Sequence, residues 1–195
     1  MPKLWSWLAV AVRRRLTRAQ RLTVFRKPLM DIETMLAREE IRDLRHNFSW
    51  YLETCNPDAL ADLFWEEGVI DTGPWGRMEG KEAIRKGYGR AYRNMPQFTA
   101  LHAVTNSRIV VRGDEGEGTW YLLDHSLREP SSNPLILVAL YEERHAKRNE
   151  LWKYTSLKLT YLWSAEQGRI TPENPMRLPE SSKKAYREQQ PQASR

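Results

Sequence analysis

The chain of 195 residues is the size of one ordinary domain with residues to spare for its termini. Apolar types make up 41% and charged types 29%, which supports a packed core and excludes wholesale disorder. The net charge of +6 divides into +8 over residues 1–30, −4 over 31–164 and +2 over 165–195, so the folding part lacks the basic surface that nucleic acid requires.

Residues 1–30 hold an apolar stretch, Leu4 to Val12, too short to span a bilayer. Arg13, Arg14 and Arg15 stand where a small-residue cleavage site would be expected, so the stretch makes a poor secretory signal. Three readings stay open for residues 1–29: a loose basic extension, a helix on an anionic membrane surface, or a transit segment. The expected location is cytoplasmic, with membrane association only under the second of these readings.

From Asp31 the pattern is helical. Ile32, Met35/Leu36, Ile41, Leu44, Phe48, Leu52 and Cys55 recur at spacings of three and four, with charges between them. Asn56-Pro57-Asp58 ends this helix, and Asp58 is placed to cap a short second one over 59–64. The stretch VIDTGPWGRMEG then predicts a hairpin or short strands around a Gly-Pro turn. A third helix is expected over 81–93. Four long strands follow, over 97–112, 118–128, 135–145 and 151–163, and their adjacency in sequence favours an antiparallel meander. The expected domain is therefore α+β over residues 31–164, three helices packed on a curved, mainly antiparallel sheet, with a Pro-rich polar tail after it.

Several chemistries are excluded. One cysteine, Cys55, permits no internal disulfide framework and no Cys-based zinc site, and four histidines stand far apart without ligand spacing. GYGR at 87–90 lacks the strand-loop-helix setting of a phosphate cradle, and no GxSxG occurs. Eight tryptophans and eight tyrosines instead suit a pocket for a flat apolar ligand. Candidate lining residues are Tyr51, Trp75, Tyr88, Tyr92, Trp120 and Tyr141.

The segments EEIRDLRHNFSWYLETCNPDALADLFWEEGVIDTGPWGRMEGKEAI, ALHAVTNSRI, GTWYLLD, LYEER and ELWKYTSL follow one another between Glu40 and Trp163. In this order they resemble the SnoaL-like branch of the nuclear-transport-factor-like superfamily, closest in flavour to the group of scytalone dehydratase, bile-acid dehydratase and lindane dehydrochlorinase. The resemblance implies a cone-shaped domain, a deep pocket between helices and sheet, proton chemistry without a cofactor, and homodimers or homotrimers. It places the catalytic histidine at His102, an acidic partner at Glu53 where Asp is more usual, and a second carboxylate at Asp124. The Tyr that often precedes the helical acid is Phe48 here, and the Arg of some dehydratases falls near Tyr161.

A neutral imidazole takes a proton from carbon beside a carbonyl near pH 7, which suits His102. Alternation puts His102, Val104 and Asn106 on one strand face, and Asp124 inward with Trp120 and Leu122. His125 then points the other way. Asn106 or a tyrosine hydroxyl is placed to donate to a substrate oxygen. The expected function is a cofactor-independent lyase or isomerase acting on a hydrophobic, cyclic, polyketide- or steroid-like molecule. The alternative is a binding module or accessory subunit of the same fold. A pocket that buries His102 against either carboxylate favours the enzyme; a filled cone with His102 exposed favours the scaffold.

Overall fold

A computed structural model describes residues 30–96, 98–127 and 135–165. The expected N-terminal extension and Pro-rich tail lie outside the described residues. The chain divides into a unit Met1–Ile32, almost wholly outside them, and a compact unit that begins at Glu33 and holds the fold.

Helix α1 spans Ile32–Glu53 and buries Ile41, Arg45, Phe48, Ser49 and Leu52 at the expected spacing. The buried stripe starts later than expected: Ile32, Met35 and Leu36 are exposed. Helix α2 spans Pro57–Asp62, and its cap is Asn56, not Asp58. The Asn56 carboxamide oxygen accepts from Ala59 N at 3.1 Å, and Pro57, with no N–H to satisfy, takes the first helical position. This helix is shorter than expected because Phe64 opens strand β1, Phe64–Asp71.

A 3-10 turn, Gly73–Trp75, joins β1 to strand β2, Arg77–Glu79, as the Gly-Pro motif predicted. Gly73 and Gly76 there have φ of 63° and 108°, which favour glycine. Helix α3 follows over Lys81–Asn94. Strands β3 (Thr99–Arg112), β4 (Glu115–Leu127), β5 (Leu135–Arg148) and β6 (Leu151–Ser164) form the antiparallel meander.

The sheet order is β2-β1-β6-β5-β4-β3. β1 joins β6 in parallel, pairing Phe64 with Tyr154 and Ile70 with Leu157, so the first and last long strands meet inside one sheet. The domain is α+β, three helices on six mainly antiparallel strands. No helix among the described residues is long and apolar enough to cross a membrane.

The core lies between α1 and the inner sheet face, with Ile41, Phe48, Phe64, Trp120 and Tyr154 almost wholly buried. Gly116 on β4 lets α1 pack closely on the sheet: a Cβ there would lie 2.5 Å from Ile41 Cδ1. Gly116→Val should therefore cost about 1–3 kcal/mol through overpacking. We expect a melting temperature lower by roughly 3–10 °C, read by thermal circular dichroism.

Candidate active site

Helix α3, the β1–β2 turn and the inner faces of β3 to β6 enclose a cavity of about 470 Å³. Its floor is built from buried side chains, among them Leu122, Asp124 and Tyr141, while exposed Trp75, Arg77 and Arg90 mark the rim. Tyr88, Tyr92, Phe98 and His102 form one aromatic wall, with successive ring centroids 6.0, 5.9 and 6.3 Å apart. Successive rings are tilted by 37°, 44° and 33°, so the wall offers a curved run of aromatic surface to an apolar ligand.

His102 on β3 faces Asp124 on β4 directly across the ladder. The imidazole is 9% exposed, with Nε2 3.9 Å from Asp124 Oδ1 and Nδ1 3.9 Å from Glu53 Oε1. Neither distance is a hydrogen bond. Each is short enough for a carboxylate to stabilise an imidazolium, and contacts of this kind tighten around a bound substrate.

The two carboxylates are held differently. Glu53, at the last turn of α1, accepts the backbone N–H of His102 at 2.7 Å and ties the helix end to the strand that carries the imidazole. It lies outside the cavity lining. Asp124 lies within it, and the buried Ser126 hydroxyl donates to Asp124 Oδ1, the oxygen that faces His102.

Trp75, Tyr88, Tyr92, Tyr141 and Tyr161 line the cavity. Phe48, Tyr51, Asn106 and Trp120 do not. Phe48 and Trp120 are core residues, and Tyr51 packs against that core. Asn106 is displaced by a bulge between Thr105 and Arg108 in the β3–β4 register. Asn106 has φ of 52°, and alternation breaks there, leaving it exposed while Ile109 returns to the buried face. His125 is exposed on the opposite face from Asp124, as alternation predicted.

Three residues that sequence reasoning missed matter here. Phe98 shares the alternation of His102 and could have been found by it. Arg45 sits on the apolar stripe of α1, four residues after Ile41, and Glu143 alternates with Ala139 and Tyr141 on β5; both positions carried a burial signal. The Arg45 guanidinium, wholly buried, donates from Nη1 to Glu143 Oε1 at 3.0 Å and from Nη2 to Ser49 Oγ at 3.2 Å. It lies 4.1 Å from the Tyr141 ring centroid and 4.4 Å from that of Phe48. Trp120 Nε1 donates to the other Glu143 oxygen at 2.8 Å. Tyr141 thus stands between this buried ion pair and the cavity.

Burial pushes the Tyr141 phenol up to about 12, against a smaller opposing pull from Arg45. Burial likewise pushes Tyr88 well above the ordinary phenol value. Both remain protonated at neutral pH and so remain hydrogen-bond donors. Among the described residues no group of His, Cys, Asp and Glu is arranged to hold a metal ion.

A family model for the SnoaL-like domain matches residues 33–158. Among solved structures, a Novosphingobium aromaticivorans protein provisionally described as a scytalone dehydratase superposes with a TM-score of 0.62 at 20% identity, covering 74% of this chain and 96% of its own. A type 2 hexachlorocyclohexane dehydrochlorinase gives a TM-score of 0.64 at 19% identity, covering 69% and 91% respectively. A Mycobacterium tuberculosis protein of unknown function gives 0.59 at 18% identity, covering 75% and 79%. At these identities the likeness is one of fold. No curated protein matches the sequence.

Proposed function

The chain belongs to the SnoaL-like domain family, and from that premise we propose a cofactor-independent lyase or isomerase that moves a proton on an apolar, cyclic small molecule. One observation carries this reading: His102, nearly buried, edges a cavity with a carboxylate facing each ring nitrogen. A scaffold gains nothing from burying an imidazole and the Asp124 carboxylate against a cavity, where burying them is costly.

In the proposed reaction His102 takes a proton from carbon beside a carbonyl, or relays one to a leaving group. Asp124, on the cavity side, stabilises the imidazolium and is placed to pass the proton on. Glu53 holds β3 at the working distance from behind. Of the two donors expected, Asn106 or a tyrosine hydroxyl, the Tyr141 hydroxyl takes the role, donating to the substrate oxygen on which charge develops. The aromatic wall from Tyr88 to His102 stacks on the ring. Dehydration, isomerisation, cyclisation and hydrogen-halide elimination share this proton transfer, and the fold relatives described as a dehydratase and a dehydrochlorinase support the class.

The two acids should separate in a kinetic test. Asp124→Asn removes the charge that faces both substrate and imidazole, and we expect kcat to fall about 100-fold. Glu53→Gln retains an oxygen for the His102 N–H, so a loss of about tenfold is expected. The assay incubates the protein with a panel of cyclic ketones and hydroxyketones in D2O and follows deuterium at the carbon beside the carbonyl by NMR. A panel on which the wild-type protein catalyses no exchange and no elimination would favour the binding-module reading.

A further inference from the structure

The charges along the cavity are sorted by depth. Asp124 is the sole carboxylate lining it among the described residues, and it lies on the floor, 6% exposed. Glu53 stands behind His102, so the inner end holds two acids around one imidazole. The rim carries the opposite sign. Arg77 and Arg90 both line it and both are exposed.

These two arginines reach the rim from different elements. Arg77 opens β2, and Arg90 lies on α3 one turn beyond Gly87, where the helix packs directly on the Met78 thioether. Arg77 Nε donates to Glu79 Oε1 at 2.8 Å, and its two Nη groups make no hydrogen bond among the described residues. Arg90 makes no ion pair among the described residues. The Trp75 indole stands beside them at the rim.

From this arrangement we propose that the substrate is amphipathic: an apolar ring system carrying an anionic oxygen headgroup, which Arg77 and Arg90 hold at the mouth. The proposal rests on the reading of the cavity as a small-molecule site and adds the orientation. An anion is repelled from the floor by Asp124 and attracted at the rim, so the ring enters first and its reacting carbon reaches His102. Guanidinium groups suit this task because their planar donors match carboxylate, sulfonate and phosphate oxygens. Discrimination by sign at the mouth leaves the floor to read shape.

Two fluorescent probes of one skeleton test this without knowledge of the substrate. 1-Anilinonaphthalene-8-sulfonate carries the anion and N-phenyl-1-naphthylamine does not. Only the binding component abolished by Ala91→Trp, which fills the cavity from α3, is counted, so that attachment to the basic N-terminal residues is set aside. In that component the sulfonate should bind about tenfold more tightly at low salt. The combined Arg77→Gln and Arg90→Gln variant should lose this preference while binding the neutral probe as before. Equal affinity for both probes in the wild-type protein, or a preference that survives the double variant, would overturn the anionic headgroup and leave the pocket reading intact. Binding of both probes that is insensitive to Ala91→Trp would overturn the pocket reading and this proposal with it.

Discussion

His102→Gln lowers the rate of proton transfer by roughly 10²–10⁴-fold and shifts the melting temperature by only a few degrees. The imidazole edges a cavity and does not belong to the main core, so its loss opens no large void beneath α1. The rate loss follows from removing the one group near the floor whose ordinary pKa lies close to neutrality. Exogenous imidazole should restore part of the rate in His102→Ala, because the cavity then has room for it. Deuterium exchange by NMR reads the rate, and differential scanning fluorimetry reads the stability. A variant that keeps its full rate would remove His102 from the mechanism.

Glu143→Gln produces the largest stability effect. It leaves the Arg45 guanidinium wholly buried without its counter-charge, a change that costs about 3–5 kcal/mol. In a domain of this size that corresponds to a melting temperature lower by roughly 10–15 °C. Adding Arg45→Met should recover much of the loss, since the double variant has no stranded cation and its carboxamide oxygen still accepts from the Trp120 indole. The pH dependence has a definite sign. Burial alone would push the Glu143 carboxyl up, but the facing His145 and the Arg45 charge outweigh it and hold the group below its ordinary value of 4.5. A depressed folded pKa gives stability that is fully present above 4.5 and is lost as pH falls through the lower folded value. Glu143→Gln should accordingly flatten the acid side of the stability profile below pH 4.5, read as melting temperature against pH.

Periodicity made α1 and the long strands legible, and alternation on β4 placed Asp124 beside Leu122 and opposite to His125. Those patterns are local, set by side chains a few residues apart. The errors arose where a distant partner or a single backbone angle decides the outcome. Asn106 obeys alternation in the sequence, yet one left-handed residue resets the strand after it. Phe64 reads as a helix end because nothing nearby announces its pairing with Tyr154. Phe48 and Trp120 are aromatic at plausible positions, but α1 and the sheet enclose them first. The rim arginines are ordinary surface charges in the sequence and acquire meaning only when the β1–β2 turn meets α3.

The parallel junction of β1 with β6 also governs how the chain is made. A ribosome adding about 5–20 residues per second releases Phe64 several seconds before Tyr154 exists. Until then Phe48 and Phe64 lack the ring on which both pack, with centroids 5.9 and 5.0 Å from that of Tyr154. The helices therefore emerge with an unfinished sticky surface, and the meander must be completed before it can be closed. A chain truncated before Leu151 would keep that surface uncovered and be prone to aggregation.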